Sequence, residues 1–277
     1  MKILEGTITT SDGIDLYTRD WLIENPKASL VFVHGFGEHV NRYNHVAKFF
    51  NQNGISCYGY DRRGHGNSGG KKGHTPSHEA LLDEIDLIID KAKKSNPTLP
   101  LVLYGHSQGG HLALFHLIKR KSEVDVSIIT SPWIQLGFQP PAWKVGIGKV
   151  LSKIVPTLGM PNELNHSDLS RDQAIVSKYA TDPLNIYQIT AGCGAIMLDA
   201  ADWLNEYSGE LPIPVMINHG TADKVISPMA TQAFVKRVKG DITLKMWDGA
   251  YHELHNETNK EAVIQEILEW LKGKIKL

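Results

Sequence analysis

The amino-acid sequence predicts an α/β fold with a mainly parallel central sheet flanked by helices. Two observations carry this. Short apolar runs recur along the chain at 30–33, 55–60, 101–104, 124–130, 213–218 and 242–247. Patterns of 3.6-residue period lie between several of them. A parallel strand is covered by helices on both faces, so it reads as an unbroken apolar run rather than as an alternation. Strand–helix alternation then implies a layered α/β domain.

The elements follow in order. Runs 30–33 and 55–60 are the first two strands. Leu81, Leu82, Ile85, Ile88, Ile89 and Ala92 share one helical face, and either Thr75-Pro76 or Ser77 starts that helix. Run 101–104 is a strand, 110–120 a helix and 124–130 a strand. The stretch 133–208 breaks the rhythm, with Pro140, Pro141, Pro156, Pro161 and Pro183 and no clear buried run. Within it Trp143, Ile147, Val150, Leu151 and Ile154 share a helical face beside Lys144 and Lys153. That stripe suits either packing on the core or a lipid interface. We read the stretch as a helical insertion placed as a lid. Residues 1–132 and 209–277 form the core and 133–208 the lid. Strands at 213–218 and 242–247 bracket a helix opened by Ser227-Pro228, with Ser as N-cap and Pro in the first turn. Val263, Ile264, Ile267, Leu268 and Leu271 face inward on a last helix over 259–272.

Composition narrows the function. The 277 residues carry a formal charge of −1, so no strong field attracts nucleic acid. A chain this long buries a sizeable core without metal or disulfide staples. Cys57 and Cys193 lie far apart and form no C-x-x-C pair, which leaves a single disulfide open but suits a reducing cytoplasm. The first seven residues have no apolar stretch of the signal-peptide kind, and no window suits a membrane span. No cofactor or metal motif is present.

Gly105-His106-Ser107-Gln108-Gly109 matches G-x-S-x-G, and so does Gly66-Asn67-Ser68-Gly69-Gly70. Chance supplies about 0.1 such matches in a chain of this composition, so the pattern alone cannot choose. Context does. A nucleophile elbow needs a buried strand before the serine and a helix after it. Ser107 has both. Ser68 sits among polar and glycine residues, where turn chemistry explains it.

A serine hydroxyl needs a base and an acid that orients the base, here in the order Ser, Asp or Glu, His. His252 and His255 follow the last strand, and His252 lies in the loop directly beyond it, at the edge where α/β ligands bind. His219 precedes any suitable acid and reads as structural. Asp223, after the penultimate strand, is preferred over Asp199 and Asp202 in the lid and over Asp248 in a turn. The oxyanion hole needs preorganised N–H donors. Gln108, next to the nucleophile, supplies one. Phe36, in His34-Gly35-Phe36-Gly37, supplies the other, although a plain tight turn also accounts for those glycines.

These segments resemble the monoacylglycerol lipase and lysophospholipase-like branch of the α/β-hydrolase superfamily. The resembling residues are His34-Gly35-Phe36-Gly37-Glu38-His39 with Arg42-Tyr43, 61–68, the Ser107 elbow through Gly110, Asp182-Pro183-Leu184, Gly220-Thr221-Ala222-Asp223 and Gly249-Ala250-Tyr251-His252-Glu253-Leu254-His255. The likeness runs in order over nearly the whole chain. It implies an α/β-hydrolase fold with an inserted helical lid that forms an apolar acyl tunnel. It also implies a small polar pocket for the alcohol, near which Glu38, Arg42, Tyr43 and His255 match family positions. From the residues alone, those four suit a surface salt-bridge cluster equally well. Relatives often carry Met where Gln108 stands, a departure that predicts a more polar acyl-site wall.

The resulting expectation is a cytoplasmic serine ester hydrolase, peripheral at membranes through its lid, that cleaves monoacylglycerol to fatty acid and glycerol through an acyl-enzyme. A lysophospholipase and a broad esterase or thioesterase are the alternative enzymes. A non-catalytic ligand-binding homologue is the alternative class, and it fits poorly with an intact Ser, Asp and His set. Dehalogenase and epoxide hydrolase chemistry wants Asp at the elbow.

Overall fold

The apolar runs assemble into one sheet because each can bury both of its faces. In the computed structural model, which describes residues 1–120 and 122–277, the strands are β1 (Lys2–Thr9), β2 (Asp15–Leu22), β3 (Ala28–Val33), β4 (Ile55–Tyr60), β5 (Leu101–His106), β6 (Val126–Thr130), β7 (Gly159–Pro161), β8 (Gln188–Thr190), β9 (Val215–Gly220) and β10 (Ile242–Trp247). The main sheet has the order β1-β2-β4-β3-β5-β6-β9-β10, and β7 and β8 form a separate two-stranded sheet. β2 runs antiparallel to both β1 and β4, and the other main-sheet pairs are parallel.

The helices are α1 (Asn44–Gln52), α2 (His78–Ser95), α3 (Gln108–Lys119), α4 (Ala142–Ile154), α5 (Gln173–Thr181), α6 (Ala191–Glu206), α7 (Pro228–Arg237) and α8 (Lys260–Lys274). Period 2 in the strands divides the core. Val31 and Val33 pack with α2, α3, α6 and α7 on one face. Leu30 and Phe32 pack with α1 and α8 on the other. Each such aliphatic or aromatic side chain contributes about 1.5–3 kcal/mol on burial, so the two layers outweigh local propensity. Ser77 is the N-cap of α2, with Oγ accepting from Ala80 N–H at 3.1 Å. Ser227 caps α7 in the same way at 3.2 Å, with Pro228 in the first turn.

Four strands are not announced by apolar runs in the sequence: the short β7 and β8, and in the main sheet β1 and β2, whose polarity explains it. β1 is an almost wholly exposed edge strand. β2 buries Asp20, which is neutralised by Lys91 Nζ at 2.7 Å, so its apolar pattern is broken. The stretch between β6 and β9 also divides unexpectedly. Cys193, Met197 and Leu204 of α6 join the core layer beside α2 and α3. On α4 no residue is buried, and Trp143, Ile147, Val150 and Ile154 are 65%, 50%, 56% and 72% exposed. Four of the five stripe residues therefore do not pack on the core, and the fifth, Leu151, is half-buried. Among the described residues, no helix is long and apolar enough to cross a membrane.

Candidate active site

Four loops leave the C-terminal ends of parallel strands β3, β5, β9 and β10, so they converge on one edge of the sheet. Each brings one part of the site.

Ser107 joins β5 to α3 with φ 54° and ψ −118°. A non-glycine residue held there costs about 1–3 kcal/mol, and its surroundings enforce it. A Cβ on Gly109 would lie 2.0 Å from the Val33 carbonyl oxygen, and one on Gly105 would lie 2.5 Å from the Gly109 oxygen. Only glycines allow strand and helix to approach so closely, and the turn lifts Ser107 above the sheet.

Ser107 Oγ donates to His252 Nε2 at 2.9 Å, and His252 Nδ1 donates to Asp223 Oδ2 at 2.7 Å. A carboxylate can only accept, so Nδ1 carries the imidazole proton and Nε2 is free to receive one from Ser107. Ser131 Oγ donates to the His252 carbonyl at 2.7 Å and fixes the loop. Asp223 is held on every side. Its Oδ2 also accepts from His219 Nε2 at 2.9 Å, and its Oδ1 accepts from the Val225 and Ile226 N–H groups at 2.8 and 3.0 Å. Burial opposes its charge, but the positive charge of His252 and the bonds from both histidines outweigh burial and keep the carboxyl well below its usual range. Burial likewise opposes protonation of His252, yet the Asp223 carboxylate overrides it and raises the imidazole above its ordinary value.

The competing residues are occupied elsewhere. Ser68 Oγ accepts from Tyr17 N–H at 2.8 Å and donates to the Asp61 carbonyl. Asp199, Asp202 and Asp248 are exposed. His219 stands behind Asp223, with Nδ1 at 2.9 Å from Thr231 Oγ1.

Phe36, Ser107 and His252 line one cavity. The Gln108 N–H lies in the first turn of α3, where unpaired amides and the helix dipole favour negative charge. The Gln108 side chain is not part of the cavity wall. Its Oε1 accepts from Arg62 Nη2 at 2.8 Å, so the expected polar acyl wall is absent at this position. The cavity has about 680 Å³ of empty space, including its mouth. Trp133, Leu136, Phe138, Leu164, Leu169, Ile189, Val225 and Ile226 make its apolar walls, and Glu38, Asn162 and Glu253 are among its polar ones.

The four residues matched to the alcohol pocket separate into two layers. Glu38 lines the cavity, accepting from Gly35 N–H at 2.6 Å and from Tyr43 Oη at 2.8 Å. Arg42 bridges Glu38 at 3.0 Å and grips Glu253 with two bonds of 2.6 and 2.7 Å. Tyr43 and His255 are fully buried behind this layer, stacked at 4.8 Å. Burial pushes the Glu38 carboxyl up despite Arg42. Burial acts on Glu253 too, but its paired bonds to Arg42 prevail and hold that carboxyl down. Glu253 received no role in the sequence reading. Its place directly after His252 was the available signal. The stretch between β6 and β9 meets this loop through Tyr179 Oη, which donates to the Gly37 carbonyl at 3.1 Å, and through Asp182 Oδ2, 3.0 Å from His39 Nε2.

Comparison with known proteins places the chain in a family. The family model Hydrolase_4, described as "Serine aminopeptidase, S33", matches residues 24–259. A monoacylglycerol lipase of Mycolicibacterium smegmatis is 29% identical over 93% of this chain and 91% of its own length. An uncharacterised abhydrolase domain-containing protein of Dictyostelium discoideum is 37% identical over 98% of this chain, which spans only 29% of that larger protein. The crystal structure of a monoacylglycerol lipase from Paleococcus ferrophilus superposes with a TM-score of 0.85 at 31% identity, covering 94% of this chain and 99% of that one. With its mostly parallel sheet, its inserted helices and a family match over most of its length, the chain is a serine hydrolase of the Hydrolase_4 family, in the monoacylglycerol lipase-like branch of the α/β-hydrolases.

Proposed function

We propose that this enzyme hydrolyses esters of single-chain lipids, monoacylglycerols foremost, through an acyl-enzyme on Ser107. The carrying observation is the hydrogen-bonded series Ser107, His252 and Asp223 opening into an apolar cavity that also holds Glu38 and Glu253. Ser107 Oγ attacks the ester carbonyl while His252 Nε2 takes its proton. Negative charge collects on the carbonyl oxygen, which the Phe36 and Gln108 N–H groups stabilise. One such donor is worth about 10²–10³ in rate. His252 then passes the proton to the leaving alcohol as the C–O bond breaks, and Asp223 balances the imidazolium throughout. Water repeats the sequence on the acyl-enzyme, releasing the fatty acid and restoring Ser107.

Charge at the polar end favours a neutral alcohol. Arg42 is shared between two carboxylates, so the group of three is net negative when both are ionised. A phosphate close to the scissile ester would be repelled there. Glycerol, with hydroxyls that donate to carboxylates, suits it better.

We also place the enzyme in the cytoplasm, meeting lipid reversibly through α4. The exposed Trp143, Ile147, Val150 and Ile154 with neighbouring Lys144, Lys149 and Lys153 support contact with an anionic surface. Cys57 and Cys193, both free and buried, suit a reducing compartment.

The test is kcat/KM on a panel of monoacylglycerols, lysophospholipids and p-nitrophenyl esters matched for chain length, with aminoacyl p-nitroanilides for the peptidase in the family description. Monoacylglycerols should lead lysophospholipids by at least about tenfold, the equivalent of 1.4 kcal/mol. Equal rates would overturn the headgroup assignment.

A further inference from the structure

Arg62 is the largest charged side chain sealed inside this protein. The residue is fully buried in the loop that follows β4, and it does not line the cavity. Among the described residues it forms no ion pair, and its Nε and Nη1 find no hydrogen-bond partner. A cation buried with no carboxylate at bonding distance costs several kcal/mol, and the more distant charges of Glu84 and Glu38 do not offset its burial. Packing therefore does not account for an arginine here.

What Arg62 touches does. Its Nη2 donates at 2.8 Å to the Gly35 carbonyl and at 2.8 Å to Gln108 Oε1. The two acceptors belong to the two arms of the oxyanion site. The Gly35 carbonyl shares one planar peptide with the Phe36 N–H, so fixing the oxygen fixes the direction of the N–H. Gln108 carries the second N–H. The Gly35 oxygen is held again by His34 Nδ1 at 2.7 Å, and His34 Nε2 accepts from the Arg62 backbone N–H at 2.9 Å. The other side of Gly35 is closed as well. Its N–H is bonded to Glu38, and a Cβ there would stand 2.8 Å from Glu38 Oε1 and 3.2 Å from Ser107 Cβ.

We propose that Arg62 is the positioning residue of the oxyanion hole, its Nη2 aligning the Gly35–Phe36 peptide and tethering that arm to the Gln108 arm. A cation on the carbonyl also polarises the shared amide, and hydrogen bonds in series strengthen one another. The Phe36 N–H becomes a better donor to the developing oxyanion without Arg62 reaching substrate. Gln108 is the anchor that completes the seat for Nη2.

This inference rests on the catalytic reading above, so its test separates the two. Arg62→Met and the double variant Arg62→Met/Gln108→Met remove the cation, and the second also removes the orphaned amide. Four quantities are read: Tm, stoichiometric labelling by a fluorophosphonate, kcat and KM on p-nitrophenyl butyrate, and the affinity of an alkyl boronic acid, whose tetrahedral adduct places an oxygen in the hole. We expect full labelling, a Tm unchanged or raised, KM within about twofold, and kcat lower by about 10- to 100-fold, less than the loss of a whole donor. Boronate affinity should fall by the same factor. Wild-type kcat and boronate affinity in either folded variant overturn the inference and leave the Ser107 reading standing. Loss of Tm and labelling in both variants also overturns it, because Arg62 is then a structural residue. A wild-type protein that fails to label sinks the catalytic reading instead.

Discussion

Replacing Asp223 by Asn separates charge from shape at the site. Asp223 Oδ1 accepts from two backbone N–H groups, so an amide at this position must put its oxygen there. Its NH₂ then takes the place of Oδ2 and faces His252 Nδ1 and His219 Nε2. A donor opposite Nδ1 forces the proton of His252 onto Nε2, the nitrogen that must accept from Ser107. The lost charge adds to this. At an effective dielectric of ~20 and ~4 Å, a carboxylate stabilises an imidazolium by about 4 kcal/mol, or about 10³ in rate. With the wrong tautomer, kcat should fall by about 10³–10⁴, and KM should hold. The pH profile supplies a second check. In the proposed mechanism neutral His252 is the active form, so kcat/KM should rise with pH, and the Asp223 charge should place the wild-type inflection above the ordinary imidazole value. Without that charge the inflection should move to lower pH. Steady-state rates on p-nitrophenyl butyrate across pH 5 to 10 measure both. A variant that keeps more than about a tenth of wild-type kcat, or an inflection that stays in place, would refute the assignment of Asp223.

Ser107→Ala should lower kcat by about 10⁴–10⁶ with little change in Tm. Ser68→Ala removes the hydrogen bond to the part-buried Tyr17 N–H, so it should cost about 1 kcal/mol of stability while the folded protein keeps its fluorophosphonate labelling. Ile147→Ser/Ile154→Ser should weaken co-sedimentation with anionic vesicles at least about tenfold and spare hydrolysis of a short soluble ester. Wild-type protein that ignores vesicles would remove α4 as a lipid contact.

Much of this architecture was legible because parallel strands and amphipathic helices write their burial into local periodicity. The runs that became β3 to β6, β9 and β10, the Ser227 cap and the inward face of α8 needed no partner to be seen, while the start of α2 was narrowed only to Thr75-Pro76 or Ser77. The elbow was equally local, because a strained serine between strand and helix requires its glycines in the adjacent sequence. Other features depend on residues far apart in the chain. β1 and β2 carry too few apolar residues to announce themselves, and they exist because β4 offers an edge to pair with. The α4 stripe has the same periodicity as a core helix, and only its packing leaves it facing outward. That His219 also grips Asp223, that Glu253 takes most of Arg42, and that Tyr43 and His255 stand behind Glu38 are all matters of which side chain reaches which atom. Arg62 is the clearest case. Sequence places it in a glycine-rich loop, while the sheet brings β3, β4 and β5 side by side and delivers its guanidinium to Gly35 and Gln108, 27 and 46 residues away. Periodicity records whether a residue is buried. Which polar atoms meet inside is decided only when the strands are laid in order.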